Sequence, residues 1–313
     1  MRTLVTGGAG FIGSNLVDAL IERGDEVVAI DDLSTGREAN LDEARSRGAQ
    51  LQVLDIRDGD ALSEAVAQAR PEVIFHLAAQ IDVRKSIADP AWDSTINVGG
   101  TINVLEAARR HGVARVVNSS TGGAIYGDAE VIPSPETLTP LPEAAYGQSK
   151  LSAEGYLGLY ERLYGLSSVT LRYGNVYGPR QDPLGEAGVI AIFCGALATG
   201  RRATIFGDGK QTRDYVYVGD VVGANLKAAA ATAGGVFNIG TQTETSVLDL
   251  VEILGGLAGV DFEAELAPAR LGELECSCLD IGQAQSVLGW EPTLAIREGL
   301  ASTLEASRAS LHR

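Results

Sequence analysis

The chain has 313 residues, of which 45% are hydrophobic and 21% charged, a composition that excludes disordered and fibrous proteins. Its 25 Lys and Arg residues against 41 Asp and Glu residues give a formal net charge of -16. Because so acidic a surface repels polyanions, we expect neither nucleic acid nor an anionic membrane among its partners.

Short apolar runs alternate with helical patterns over the first half of the chain. We predict strands over residues 3–6, 26–31, 51–55, 73–77, 114–119 and 169–173, and helices over 13–23, 101–111 and 146–164. This alternation predicts an α/β fold with a Rossmann-type doubly wound parallel sheet.

The regular alternation of strands and helices ends after residue 174. Residues 177–183 are rich in Gly and Pro, a strand is predicted over 235–239, and a last helix over 296–308. We therefore predict a sheet domain over residues 1–174 and a smaller, mixed C-terminal domain over 175–313. The segment around 214–240 is expected to return to the sheet.

A glycine-rich turn joins the first strand to the first helix. Gly7, Gly10 and Gly13 have the spacing that lets backbone amides approach a pyrophosphate at a helix N-terminus. Asp31, at the end of the second strand, would accept hydrogen bonds from adenosine ribose hydroxyls. Asp31 and Asp32 would repel a 2′-phosphate, so the pattern predicts NAD rather than NADP. The alternative is a tight turn with Asp31 capping a loop.

Two further strand ends could contact a dinucleotide. Asp55 and Ile56 would flank the adenine, and the small segment Leu77–Ala79 would lie beneath the cofactor. Strand ends are also small or acidic for packing reasons alone, so each signal is weak by itself.

Tyr146 and Lys150 are four positions apart on a predicted helix and share one face. A phenol is a poor base at neutral pH unless nearby positive charge stabilises its phenolate, and Lys150 with an oxidised nicotinamide would supply that charge. Tyr146 is then a candidate general base for an alcohol. Ser119, Ser120 and Thr121, at the end of the fifth strand, offer hydroxyls to the same substrate oxygen.

With these motifs, essentially the whole chain resembles the extended short-chain dehydrogenase/reductase family, specifically its nucleotide-sugar epimerases and dehydratases. Within the family it is most similar to the UDP-glucose (UDP-galactose) 4-epimerases. The landmarks of the resemblance are residues 6–13, 31–36, 55–58, 76–79, 97–98, 119–127, 146–150, 171–179 and 213–216.

The resemblance implies a mechanism with a tightly held NAD. Tyr146 takes the proton of the sugar 4-hydroxyl while C4 gives up hydride, the 4-keto sugar swings about its diphosphate, and hydride returns to the other face. The family's catalytic hydroxyl falls on Thr121. Because the segment from Ser119 to Tyr126 is one residue longer than in many relatives, Ser120 stays an alternative.

The resemblance also implies contact residues. For the cofactor they are Gly7, Gly10, Phe11, Ile12, Asp31, Asp32, Leu33, Ser34, Thr35, Gly36, Asp55, Ile56, Leu77, Ala78, Ala79, Asn97, Ser119, Tyr146, Lys150, Tyr173, Asn175 and Val176. For the UDP-sugar they are Thr121, Tyr146, Asn175, Val189, Phe206, Arg213, Arg270, Glu273 and Ser277. Asn175 would hold the diphosphate, Phe206 would lie near the uracil, and Arg213 and Arg270 would bind phosphate oxygens. The structural alternatives are ion pairs of Arg213 with Asp214 and of Arg270 with Glu273.

Substrate breadth depends on the position seven residues after Arg270. In the resembling epimerases a small residue there admits an N-acetyl group at the sugar's C2, and this chain has Ser277 at that position. A one-residue slip would put Cys276 or Cys278 there instead.

Competing functions remain open to different degrees. A dehydratase of this family needs an Asp-Glu pair directly after the catalytic Thr, where this chain has Gly122 and Gly123. A UDP-glucuronate 4-epimerase or decarboxylase needs only a carboxylate pocket, which the sequence does not reveal. A silent NAD-binding regulator predicts loss of Tyr146 or Lys150, and both are present.

The cysteines and the N-terminus bear on location. Cys276 and Cys278 are poorly spaced for a disulfide, and no His lies near them to complete a zinc site, so we expect reduced thiols and no metal. No signal-peptide pattern precedes the first strand. We expect a cytoplasmic homodimer with a UDP-sugar substrate.

Overall fold

A computed structural model describes residues 1–183, 188–262, 264–268 and 274–310. Within these residues, seven parallel strands form one sheet in the order β10-β6-β5-β4-β1-β2-β3. The strands are β1 (Arg2–Thr6), β2 (Glu26–Asp31), β3 (Gln50–Val53), β4 (Val73–His76), β5 (Arg115–Thr121), β6 (Ser167–Tyr173) and β10 (Gly235–Ile239). The predicted α/β fold with a doubly wound parallel sheet is confirmed.

Helices cover both faces of the sheet and build the C-terminal part. They are α1 (Phe11–Glu22), α2 (Asp42–Ser46), α3 (Gly59–Ala69), α4 (Val83–Ala88), α5 (Pro90–Ser94), α6 (Thr101–Arg110), α7 (Gly122–Ile125), α8 (Ala145–Tyr164), α9 (Val189–Thr199), α10 (Val218–Ala230), α11 (Val247–Ala258) and α12 (Ile296–Ser310). A π-helical segment, Thr95–Gly100, runs into α6, and another spans Ala284–Leu288.

The core follows the alternation of side chains along the buried strands. On β1, Leu4 belongs to the apolar cluster on the α3, α6 and α8 face, whereas Val5 belongs to the cluster on the α1 and α10 face. A third cluster joins α9, α11 and α12 in the C-terminal part.

Two small sheets complete the described structure. β9 (Thr212–Tyr217) lies between β7 (Asn175–Tyr177) and the antiparallel β11 (Glu244–Ser246), and β8 (Ala203–Phe206) pairs with β12 (Ala264–Ala267). The carboxyl ends of β1, β2, β4 and β5 meet at one edge of the large sheet, which is where ligands bind in such folds.

Three differences between the sequence predictions and the structure concern elements near the sheet edge. β3 ends at Val53 rather than 55, so Asp55 lies in the following turn. β5 runs to Thr121 rather than 119, so the hydroxyl triplet lies within the strand. Helix α3 was not predicted; it begins where the side chain of Asp58 accepts a hydrogen bond from the amide of Ala61.

None of the helices in the described ranges is long and apolar enough to cross a membrane. Cys194, Cys276 and Cys278, which all lie within those ranges, are unpaired thiols.

Candidate active site

The glycine turn packs too tightly for side chains. Gly7 has a positive φ of 68°, and a methyl group on it would lie 2.7 Å from the amide nitrogen of Ala78. A methyl group on Gly13 would lie 2.0 Å from the carbonyl oxygen of Gly7. The first turn of α1, which includes Phe11 and Ile12, carries no acidic residue, and Gly10 provides no side-chain cap. This helix N-terminus therefore fits an anionic pyrophosphate.

Asp31 lies beside that turn, 7% exposed. Its carboxylate accepts hydrogen bonds from the amides of Ala9 at 3.0 Å and Leu33 at 2.9 Å. Burial raises the pKa of Asp31, and these two amide bonds oppose the rise. A methyl group on Gly36 would lie 2.6 Å from the Asp31 carboxylate, so only glycine fits beside the carboxylate there.

The loop after β2 is held by its own side chains. Leu33 has a left-handed φ of 58°, and Asp32 accepts hydrogen bonds from both the amide and the hydroxyl of Ser34. Asp32, Ser34 and Thr35 are exposed. The loop thus presents two carboxylates, Asp31 and Asp32, on the same edge as the glycine turn.

A buried chain of hydrogen bonds fixes the segment expected beneath a dinucleotide. Thr6 Oγ1 lies 2.7 Å from Nδ1 of His76, and His76 Nε2 lies 3.0 Å from Thr101 Oγ1. Thr6 also holds this segment directly, since its carbonyl accepts from the Leu77 amide and its hydroxyl from the Ala78 amide. Burial lowers the pKa of His76 to about 3, so its ring is neutral and serves to position the backbone.

Asp55 and Ile56 hold different parts of the same edge. Asp55 accepts hydrogen bonds from Arg57, and these lower the pKa of the carboxyl. Ile56 is buried under the π-helical segment, where a methyl group on Gly100 would lie 2.4 Å from its side chain.

The Tyr146 and Thr121 side chains are hydrogen-bonded to each other. Burial raises the pKa of Tyr146 to about 12; the bond to Thr121 opposes this rise and the charge of Asp93 adds to it. Lys150, one helical turn further along α8, is 6% exposed. Burial lowers its pKa to about 8, against the opposing charges of Glu154 and Asp93. A phenol and a hydroxyl therefore meet at the end of β5, with a buried amine one turn further along α8, and these are groups that proton transfer from an alcohol can use.

The other two hydroxyls of the triplet have other partners. Ser120 donates to Glu154 at 2.6 Å, and Ser119 donates to the carbonyl of His76 at 3.0 Å. Glu154 is also paired with Arg172 at 2.6 Å, and both side chains are 6% exposed. The geometry thus favours Thr121 over Ser120 as the catalytic hydroxyl.

Two residues predicted to contact the cofactor use their side chains within the protein. Asn97 Oδ1 accepts a hydrogen bond from the backbone amide of Gln80 at 2.9 Å, and Asn97 Nδ2 donates one to the backbone carbonyl of Gln80 at 2.9 Å. Tyr173 is 5% exposed, and its hydroxyl is bonded to Asn225 in the core. The Asn97 side chain thus holds the loop after β4. The Tyr173 side chain is engaged in the core, so only the backbone of Tyr173 could contact a cofactor.

The predicted substrate residues come from the C-terminal part. Asn175 begins β7, and its Oδ1 would lie 3.3 Å from a methyl group on Gly123, beside the end of β5. Val176 follows and packs against the core. Val189 begins α9, and Phe206 ends β8, where its carbonyl accepts from Gln211.

Arg213 and Ser277 both contact Thr212. Arg213 Nη1 donates to the Thr212 carbonyl at 2.7 Å, and the Ser277 amide donates to the same oxygen at 3.2 Å. Asp214 uses its carboxylate to bind the backbone of Thr241 and of Leu279. Arg270 and Glu273 lie outside the described residues.

Sequence reasoning missed Asp93 and Glu154. Glu154 repeats the four-residue spacing of Tyr146 and Lys150, a signal that the sequence carried. Asp93 is four residues before Asn97, but in a segment whose helical character has no apolar periodicity, so only the structure reveals it.

Comparison with known proteins agrees with this geometry. A family model described as the NAD dependent epimerase/dehydratase family matches residues 3–240. The UDP-glucose 4-epimerase of Mycolicibacterium smegmatis is 49% identical over 310 residues, which cover 98% of this chain and 99% of that protein. The chain belongs to the NAD dependent epimerase/dehydratase family. The expected relationship to the nucleotide-sugar epimerases is confirmed.

Two solved structures of this family are similar over almost their whole length. The Thermotoga maritima UDP-glucose 4-epimerase, solved with UDP-glucose, has a TM-score of 0.96 and 47% sequence identity, covering 99% of this chain and 100% of that one. The Thermus thermophilus UDP-glucose 4-epimerase, solved with NAD, has a TM-score of 0.93 and 41% identity, covering 99% and 100%.

Proposed function

We propose that this protein is an NAD-dependent UDP-glucose 4-epimerase, which interconverts UDP-glucose and UDP-galactose through a 4-keto sugar. The observation that carries the proposal is the hydrogen bond between Tyr146 and Thr121, with Lys150 one turn away on α8. The names of the similar proteins support the choice of substrate.

Tyr146, Thr121 and Lys150 have separate roles in the proposed reaction. Tyr146 removes the proton of the sugar 4-hydroxyl and later returns it, so it acts as base and then as acid. Thr121 orients the same oxygen, and Lys150 stabilises the phenolate by its charge. Bound NAD supplies a hydride acceptor, held by the glycine turn and Asp31. Residues 1–174, with the segment around 214–240, form the NAD-binding part in this proposal, and 175–313 form the sugar-nucleotide part.

The C-terminal residues would bind the nucleotide. We assign the diphosphate to Asn175, which lies beside the end of β5, and on the resemblance alone we assign its oxygens to Arg213 and Arg270. Phe206 and Val189 would border the base, and Glu273 and Ser277 the sugar. A small residue at Ser277 supports acceptance of 2-acetamido sugars. UDP-glucuronate 4-epimerisation is the alternative activity.

We further propose a homodimer in the cytoplasm. The unpaired cysteines fit a reducing compartment. Leu163 and Tyr164, at the end of α8, are 61% and 53% exposed and offer apolar surface to a second copy. Light scattering on the purified protein tests the dimer.

The deciding experiment is incubation with UDP-glucose, UDP-galactose, UDP-N-acetylglucosamine and UDP-glucuronate, followed by chromatographic separation of the C4 epimers. The proposal expects the same equilibrium mixture from UDP-glucose and from UDP-galactose. Epimerisation of UDP-glucuronate alone would establish the alternative.

A further inference from the structure

Asp93 is a buried carboxylate with one oxygen unused. The residue is 0% exposed and lies on α5, which packs against α8. Its Oδ1 accepts hydrogen bonds from Gln80 Nε2 at 2.7 Å and from Asn97 Nδ2 at 3.0 Å. Its Oδ2 is buried and has no hydrogen-bond partner among the described residues. A buried carboxylate oxygen without a partner is costly, so a nearby positive charge must compensate it.

The positive charge on which Asp93 acts is that of Lys150, on the helix α8 against which α5 packs. Lys150 is itself buried, and Asp93 and Glu154 are the two carboxylates whose charge acts on it. Glu154 is already engaged, because it forms the ion pair with Arg172 and accepts the Ser120 hydroxyl. Asp93 is therefore the carboxylate with hydrogen-bonding capacity left.

We propose that Asp93 is a positioning residue of the active site, whose carboxylate is the counter-charge that keeps the buried Lys150 cationic. Gln80 and Asn97 hold the carboxylate by Oδ1, which leaves the buried Oδ2 without a hydrogen bond from the described residues. The proposal rests on the proposed role of Tyr146 as base, since the cation serves to stabilise its phenolate.

The other charged groups around Tyr146 and Lys150 do not provide the counter-charge that we assign to Asp93. His76 on β4 is neutral, because burial lowers its pKa to about 3. Arg172 on β6 is neutralised by Glu154. On α4, Arg84 and Lys85 are exposed, and Lys85 lies 3.6 Å from Asp82. The charge of Asp93 also raises the pKa of Tyr146.

The test is Asp93→Asn, which keeps the shape of the side chain and removes its charge. Both catalytic groups then lose a negative neighbour, so the pKa of Lys150 and the pKa of Tyr146 must fall together. We expect both limbs of the kcat pH profile to move to lower pH by about one unit. In consequence, kcat above pH 8 falls more than kcat at neutral pH.

Two variants serve as controls. Asp93→Glu keeps the charge and is expected to keep both limbs near their wild-type positions. Asp89→Asn removes a carboxylate at the start of the same helix, where it caps the amide of Trp92, and should move neither limb. If Asp93→Asn does not fold, Asp93→Ser removes the same charge and carries the same expectation.

A measurement without substrate separates this proposal from the proposed function. Carbon-13 NMR of tyrosine Cζ, assigned by the signal lost in Tyr146→Phe, follows the phenol directly. We expect its titration to shift to lower pH in Asp93→Asn even if UDP-glucose is not the substrate. A variant with reduced kcat but unchanged limbs and an unchanged Tyr146 titration would overturn the proposal.

Discussion

Adjacent hydroxyls at the end of β5 have different partners and therefore different roles. Consecutive strand residues point in opposite directions, so Ser120 and Thr121 cannot share one partner. Ser120 donates to the buried Glu154, whereas Thr121 is bonded to Tyr146. Ser120 thus supports the ion pair of Glu154 with Arg172, and Thr121 is the hydroxyl to which we assign the catalytic role.

The first prediction concerns the phenol of Tyr146. Tyr146→Phe removes only the oxygen that transfers the proton, so we expect kcat to fall about 10²–10⁴-fold. UDP binding, measured by calorimetry, should stay nearly unchanged. Thr121→Val should cost less kcat than Tyr146→Phe, because Thr121 orients the substrate oxygen without taking its proton.

Ser120→Ala is the matched control for these two variants. It should leave kcat closer to wild type than Thr121→Val does, while lowering the thermal midpoint, because Glu154 loses a hydrogen bond inside the protein. A Tyr146→Phe enzyme with half the wild-type rate would contradict the role of base. A larger loss of kcat from Ser120→Ala than from Thr121→Val would contradict the choice of hydroxyl.

The second prediction concerns cofactor choice at Asp31. A 2′-phosphate would meet the Asp31 carboxylate and the neighbouring Asp32, and Gly36 packs directly against Asp31. We expect NAD to bind far more tightly than NADP in a calorimetric titration, and Asp31→Asn to narrow the difference. Equal affinities of the wild-type protein for the two cofactors would refute this assignment.

At the scale of elements, the sequence predicts the strands that are buried on both faces and misses what depends on packing. β2 and β10 have their predicted bounds because their apolar runs end at Asp31 and at a glycine. α3 was missed because only Leu62 and Val66 among its apolar residues are larger than Ala, and because Asp58-Gly59 is typical of a turn. The partners of Ser120 and Asp93 come from distant strands and helices, which one-dimensional spacing does not reveal.

The hydrogen bonds of His76 join three elements, β1, β4 and α6. Thr101 donates its hydroxyl to the Asn97 carbonyl, so it accepts from Nε2 of His76, and Nδ1 accepts from Thr6. The ring is held as the neutral tautomer with the proton on Nε2. Protonation would put a charge in a buried site and would turn Nδ1 into a second donor, facing a Thr6 hydroxyl that now donates to it.

The third prediction follows from the pKa of about 3 that burial gives His76, against an ordinary value of 6.5. Between these pH values the unfolded chain binds one more proton than the folded one. The contribution of neutral His76 to the free energy of unfolding is therefore fully present above pH 6.5. It is lost as pH falls below that value, at about 1.4 kcal/mol per pH unit. Replacing His76 by Gln should make the free energy of unfolding depend less steeply on pH in this window.

His111→Gln provides the comparison for that measurement. His111 follows α6 and is exposed, with its ring against Ser63. Urea unfolding at a series of pH values should give His111→Gln the wild-type slope and His76→Gln a smaller one. Equal slopes for His76→Gln and the wild type would show that His76 is not the buried neutral group.

At the scale of the whole molecule, the proposed site is shared between the sheet edge and the C-terminal part. The sequence predicts the sheet-edge residues from local signals, namely a glycine turn, acidic residues at strand ends and a pair on one helix face. The C-terminal residues were placed by resemblance alone, because the small sheets pair strands that are far apart in sequence. Ser277 reaches Arg213 through Thr212, a contact between segments more than sixty residues apart.

The last prediction concerns substrate breadth, which depends on how the segment around Ser277 faces the site. Cys278 is 2% exposed and its thiol lies 3.9 Å from Asp214, so it faces the core. Side chains alternate along extended chain, so we expect Ser277 to face the other way, towards the proposed sugar site. Ser277→Tyr should exclude the bulky 2-acetamido group while the 2-hydroxyl still fits. We therefore expect kcat/KM for UDP-N-acetylglucosamine to fall far more than kcat/KM for UDP-glucose.

Cys276→Tyr is the matched variant, since it adds the same bulk one residue earlier. If Ser277 borders C2 of the sugar, Cys276→Tyr leaves the ratio of the two kcat/KM values near that of the wild type. If Cys276→Tyr changes the ratio of the two kcat/KM values and Ser277→Tyr does not, then Cys276 rather than Ser277 borders C2 of the sugar. The predicted acceptance of 2-acetamido sugars would still hold. A wild-type protein inactive on UDP-N-acetylglucosamine would refute the breadth itself, because then a small residue at this position does not suffice to admit the acetamido group.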